Sequence, residues 1–175
     1  MNYYLMEPDK KSVETPQIYN WNTQISSRLL ASFEYQELPE RTLLTATFAP
    51  NTTFKEIILM PFLLLPQEVA EVLRWFEPYL EYKDMPVMDV KRKKMHPYVF
   101  PLLKSYDCLS EESEYNRDKS VIIKAVMRKN CQPDCALFMP NGVNSRYIIA
   151  REDFCEALCK RYIFGFTLKK IEIER

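Results

Sequence analysis

Whatever reactive chemistry this chain carries must come from five cysteines and one histidine. Cys131 and Cys135 are four apart, and Cys155 and Cys159 repeat that spacing. Two such thiolate pairs are enough ligands for a tetrahedral zinc site, and on a helix Cys155 and Cys159 would share one face. The competing reading treats these cysteines as small buried hydrophobes, because Cys155 and Cys159 flank the apolar pair Phe154 and Leu158. Tight Cys-x-x-Cys knuckles with glycine nearby, the usual frame of a zinc ribbon, are absent from the sequence. The reading preferred is therefore no metal and no cofactor, with a metal-dependent or thiol enzyme built on the four cysteines kept as the rival.

His96 is the single candidate base for a Cys-His or Ser-His-Asp mechanism, and a Cys108–His96 pair is conceivable. Its neighbours are the basic run Lys91, Arg92, Lys93, Lys94 and Pro97, so the bland expectation is an exposed loop histidine. Gly142 and Gly165 are the only glycines, which excludes a phosphate-cradling loop and a dinucleotide fingerprint. Paired acids such as Glu111 with Glu112, and Glu172 with Glu174, read as solvated faces rather than acid/base machinery. The expectation is that the chain is not an enzyme.

Composition narrows the partners. The chain has 175 residues, with 24 basic and 24 acidic side chains, so its net charge is zero and its length fits one domain over residues 1–175. Residues 91–94 are the one dense basic run, too little for a surface that tracks phosphates, and they read as a solvated loop. No nucleic acid is expected. The apolar run over 57–65 is too short to span a bilayer, and the start of the sequence has no signal-peptide pattern, so no membrane is expected. An odd number of cysteines fits free thiols in a reducing compartment, and the expected location is cytoplasmic.

The elements follow from periodicity. Residues 62–73 and 147–158 share one plan: an apolar run, then acids, then apolar residues at helical spacing. Each reads as a buried strand running into a helix. Val69, Val72, Leu73 and Phe76 form one stripe while Glu68, Glu71 and Arg74 face away, predicting a helix over 67–76 that Pro78 stops. Pro66 suits its first turn, and Glu152 and Asp153 favour the positive end of a second helix over 152–162, with Phe154, Ala157 and Leu158 in its stripe. Strands are predicted at 3–6, 43–48, 79–90, 98–103, 121–127 and 166–173, with a hairpin joining 136–139 to 146–149 through Asn141-Gly142. Residues 26–33 fit helix or strand. Pro61 puts the run over 54–65 at a sheet edge or breaks it, and Pro101 implies a bulge or edge. The sum is an α+β fold: a mixed or antiparallel sheet with two main amphipathic helices and a strand-helix-strand repeat.

Several of these blocks, in this order, resemble the immunity proteins of bacterial polymorphic toxin systems, specifically the eleventh immunity class. The opening Tyr3-Tyr4-Leu5 is similar to that family's first strand, and Phe62-Leu63-Leu64-Leu65 before an acidic helix is similar to its central block. Asp107-Cys108-Leu109-Ser110-Glu111-Glu112-Ser113-Glu114-Tyr115 resembles its acidic segment ending in Ser-Glu-Tyr. Leu137-Phe138, Tyr147-Ile148-Ile149 and Gly165-Phe166 complete a likeness that covers nearly the whole chain. The sequence departs from the pattern at Pro66, where the family tends to have serine, and at Met139, where it tends to have a basic residue.

The resemblance implies a role rather than a reaction: binding a cognate protein toxin and blocking it. Asp107, Glu111, Glu112 and Glu114 are then the best contact candidates, since clustered carboxylates suit the basic surface of a nucleic-acid-degrading toxin. For Trp75 and Tyr79 the favoured reading is that they cover the edge of a core stripe completed by Phe76; the alternative makes them a second set of contact candidates, as exposed aromatic anchors. A scaffold or oligomerisation module is a further alternative, and a dimer is compatible with everything above.

Overall fold

The computed structural model describes residues 1–9, 16–32, 34–143 and 147–174. From the start come β1 (Tyr3–Pro8), β2 (Gln17–Tyr19), the short helices α1 (Trp21–Gln24) and α2 (Ser27–Ser32), and β3 (Leu44–Thr47). Next, β4 (Leu65–Pro66) leads into α3 (Gln67–Phe76), followed by β5 (Tyr82–Asp84), β6 (Val87–Asp89), β7 (Lys94–His96), β8 (Tyr98–Pro101) and β9 (Ser105–Tyr106). The remainder comprises β10 (Glu114–Tyr115), β11 (Ile122–Lys124), β12 (Val126–Met127), β13 (Leu137–Pro140), β14 (Ile148–Arg151), α4 (Glu152–Cys159), β15 (Phe166–Lys170) and β16 (Glu172–Ile173). The fold is α+β with mixed and antiparallel sheets, as the patterning predicts. Two compact units divide the chain: a first of Met1–Glu7, Leu103–Lys160 and Thr167–Arg175, and a second of Pro8–Leu102 and Arg161–Phe166. Among the described residues, no helix is long and apolar enough to cross a membrane.

The two expected strand-to-helix junctions are both present. β4 passes directly into α3 and β14 directly into α4, and the last residue before each helix, Pro66 or Arg151, keeps an extended backbone with ψ of 155° or 146°. Pro66 thus caps the helix from outside instead of occupying its first turn. Val69, Ala70, Val72 and Leu73 are buried on α3, the two valines and the leucine each contributing about 1.5–3 kcal/mol when fully buried. Phe76 is half-buried, and Glu71 and Arg74 are exposed. On α4 the buried stripe is Phe154, Cys155 and Leu158, with Ala157 half-buried. This helix stops at Cys159, three residues short of the predicted end. Tyr162 takes a positive φ of 54°, a conformation no right-handed helix continues through.

In the first unit a five-stranded sheet runs in the order β15-β1-β14-β13-β9. β14 pairs antiparallel with β1 through Leu5 and Ile149, and with β13 through Phe138 and Ile149, which is the predicted hairpin. Gly142 turns it with a φ of 81°, while Arg146 lies outside the described residues. Tyr3, Leu5, Leu109, Met127, Phe138, Ile149 and Ile171 form the core beside this sheet. Two predicted strands are each split. Over 121–127, β11 pairs with β10 and β12 pairs parallel with β16; over 166–173, β15 joins the large sheet and β16 does not. Local β-propensity is the same on both sides of each break, so the partner strand decides.

The second unit contains a four-stranded sheet, β2-β3-β6-β7, and a three-stranded sheet, β4-β8-β5. The span 79–90 read as a returning strand is two, β5 and β6, placed in different sheets. The run over 54–65 also breaks: Ile58 bridges back to Leu64 around Met60 and the cis Pro61. Pro101 sits neither at a sheet edge nor in a bulge. It is the last residue of β8, the central strand, opposite Tyr82, where a missing N–H costs the ladder little. Residues 27–32 of the ambiguous 26–33 segment are helical, and Phe33 lies outside the described residues.

Candidate functional site

The acidic segment over 107–115 is not simply exposed, as its composition predicts. Cys108, Leu109, Ser110 and Ser113 are buried, and only the acids stand out to solvent. The Ser113 hydroxyl donates to the Val126 carbonyl at 2.9 Å and accepts the Val126 N–H at 3.0 Å. The Ser110 N–H reaches the same carbonyl at 2.8 Å, Ser113 N–H closes the turn onto Ser110 O, and the Glu112 N–H donates to Ser110 Oγ at 3.2 Å. Glu111 and Glu112 therefore ride on a pinned turn and Glu114 opens β10 just after it, opposite Lys124, which pairs closely with Glu172 but also feels the charges of Glu114 and Glu112. Asp107 differs: Arg128 Nη1 holds it at 2.9 Å. The two serines were not singled out in the sequence, although serine on either side of two acids is a turn signature.

The two cysteine pairs take different settings. Cys131 and Cys135 are half-buried against the first unit's core, and Cys135 Sγ lies 3.2 Å from the Tyr106 hydroxyl. On α4, Cys155 is buried and Cys159 exposed, so the four-residue spacing straddles the edge of the buried stripe. Among the described residues, no three His, Cys, Asp or Glu side chains are placed to hold a metal ion. Burial pushes the Cys155 thiol up to about 12, and Cys108 likewise up to about 12, so neither is a thiolate at neutral pH.

His96 is no loop residue. It belongs to β7, opposite Val87, with its ring stacked on Phe54 at 3.6 Å and tilted by 60° against Phe48 at 5.3 Å. Pleating turns alternate residues of β7 inward, which overrides the polar neighbourhood. Phe54 holds a positive φ of 60°, and its N–H donates to Thr52 Oγ1. That hydroxyl donates to Glu56 Oε1, at 2.9 Å. Burial lowers the proton affinity of His96; the Asp89 carboxylate opposes this, while Lys94 and Arg92 add to it and Glu56 opposes it. The unfolded chain thus binds this proton more readily than the folded one. Stability is full above about pH 6.5 and falls as pH drops through the folded-state value. Urea unfolding over that interval should show the loss, and His96→Gln should flatten it; an equal slope in both chains would refute this assignment.

Trp75 and Tyr79 do not cover a core edge. Trp75 is 73% exposed and Tyr79 is 96% exposed, because α3 ends at Phe76 and its buried face points elsewhere. The Arg161 guanidinium lies 5.3 Å from the Trp75 ring centre, holding an otherwise open indole.

Fold and surface together define a class only: an α+β protein with mixed and antiparallel sheets that carries a hydrogen-bonded acidic turn. No family model matches the chain, and no curated protein matches it.

Proposed function

We propose that this chain is a binding protein of the polymorphic-toxin immunity kind, which neutralises a cognate protein toxin by covering its working surface. The observation that carries this reading is the turn bearing Glu111, Glu112 and Glu114. Its backbone is fixed by five hydrogen bonds to Val126 and Ser110, so the segment needs no further backbone ordering on binding. Three exposed carboxylates, with Lys124 opposite Glu114 as their nearest cation, suit a partner with a basic face. Asp107 contributes less field, since Arg128 already pairs with it. Trp75 and Tyr79 are aromatic anchors of the type that dominates interface energies. The ordered likeness to the eleventh immunity class supports the same role.

Replacing Glu111, Glu112 and Glu114 together by Lys should slow association with the toxin by about 10- to 1000-fold at low salt, with a much smaller effect at high salt. Trp75→Ala with Tyr79→Ala should instead act mainly on dissociation. Stopped-flow association rates separate the two. An unchanged on-rate at low salt in the triple variant would remove the acidic turn from the interface.

A further inference from the structure

Beside the acidic turn, the first unit holds a group of side chains with chemistry of their own. Cys108, Cys131 and Cys135 share one core cluster, Cys108 within it and the other two packed against it. All three are free thiols. Cys135 is engaged, its sulfur lying 3.2 Å from the Tyr106 hydroxyl. Cys108 and Cys131 are brought together by the backbone that joins them.

The segment through Cys108 runs antiparallel to the one through Met127. The Ser110 N–H donates to the Val126 carbonyl and the Arg128 N–H to the Cys108 carbonyl, each at 2.8 Å, on either side of the bridge between Leu109 and Met127. Cys108 therefore stands opposite Arg128, a position in which Cα atoms lie about 5.5 Å apart. The chain then reverses. The Cys131 N–H donates to the Arg128 carbonyl at 3.1 Å, closing a turn whose ends lie within about 7 Å of each other. That reversal returns Cys131 to the end of the ladder that Cys108 occupies, on the scale of the roughly 4.4–6.8 Å between Cα atoms that a disulfide needs. After burial, Cys131 is the largest influence on the Cys108 thiol, ahead of Asp107 and Arg128.

The two thiols differ in access. Cys131 is half-buried, and the Arg128 guanidinium that pairs with Asp107 also acts on it electrostatically. Cys108 is fully buried. An accessible thiol near a cation, with a second thiol behind it, is the arrangement of a two-cysteine redox pair.

We propose that Cys131 and Cys108 form a reversible redox pair, in which Cys131 reacts first with a small disulfide of the glutathione kind and Cys108 then closes an internal disulfide. In the first step the Cys131 thiolate bonds to one sulfur of the small disulfide and expels the other half as a thiolate. In the second, Cys108 gives its proton to solvent, its sulfur bonds to that of Cys131, and the remaining half leaves. Two protein thiols are oxidised and one small disulfide is reduced to two thiols. Burial pushes the Cys108 thiol up to about 12, so closure is the slower step. The new bond ties the base of the acidic turn covalently to the segment that already holds it by hydrogen bonds. It changes no surface carboxylate, and the proposal does not depend on the toxin-binding reading.

The full chain, equilibrated in glutathione buffers with a rising share of the disulfide form and trapped with N-ethylmaleimide, tests it. Peptide mapping should show Cys108 joined to Cys131, and dithiothreitol should reverse the bond. In urea at the midpoint of the reduced chain, the unfolded-to-folded ratio of the oxidised chain should be lower on the order of 100-fold. Cys135→Ser should leave both the bond and this shift intact. Cys131→Ser and Cys108→Ala should each abolish them, and the half-buried Cys131 supplies the readable variant should Cys108→Ala misfold. Thiols that stay reduced in glutathione disulfide alone would overturn the proposal. So would a glutathione adduct on Cys131 that never closes, or a bond from Cys131 to Cys135.

Discussion

Gly165→Ala is expected to destabilise the second unit by about 3–5 kcal/mol, combining left-handed backbone strain with overpacking against a backbone that cannot move aside. Gly165 has a φ of 96°, and a Cβ built on it would lie 2.3 Å from the Ile57 carbonyl oxygen and 3.0 Å from the Ile57 nitrogen. The contact is between two backbones, because the Ile57 N–H donates to the Phe164 carbonyl at 2.8 Å and Glu56 bridges to Phe164. No rotamer change relieves it. Gly142→Ala is the matched control: its φ is 81°, but nothing lies within 4 Å of the added carbon, so only the conformational term of about 1 kcal/mol remains. Urea midpoints for the two variants measure the difference. A Gly165→Ala loss no greater than that of Gly142→Ala would show that segment 161–166 does not pack on Ile57.

Phe138→Ala should cost the first unit about 3–5 kcal/mol, through lost transfer energy and the cavity left behind. Its side chain is fully buried in β13 and meets Tyr3 and Tyr106 edge-on, with centroid distances of 5.9 and 5.6 Å. Each such aromatic pair adds about 0.5–1.5 kcal/mol beyond area burial. Ile123→Ala, at a side chain 54% exposed, should change stability by no more than about 0.5 kcal/mol. Equal losses for the two would place the core of this unit elsewhere. Loss of near-ultraviolet signal from Tyr3 and Tyr106 should accompany the first substitution only.

Both strand-to-helix junctions were legible in the sequence, because the switch from an apolar run to helical spacing is local information. Gln67–Phe76 is the clearest case, with Val69, Val72 and Leu73 buried as their spacing predicts. Strand continuity was not legible. Residues 121–127 look uniform along the chain, yet Ile122 faces β10 while Val126 faces β16, a choice made by segments far away in sequence. At the acidic segment, composition identified the exposed carboxylates but not the buried Ser110 and Ser113, whose partner is Val126. For His96, the charge of its neighbours concealed the pleat that turns the ring onto Phe54.

The central claim is that the turn bearing Glu111, Glu112 and Glu114 meets a toxin. Co-expression tests it most directly: growth of cells producing the stoichiometric partner captured by this chain, with the wild-type chain or with the Glu111→Lys, Glu112→Lys, Glu114→Lys variant supplied alongside. The account predicts that the wild-type chain restores growth and that the equally folded triple variant does not. Full rescue by the triple variant, or a captured partner whose production harms no cell, would contradict it.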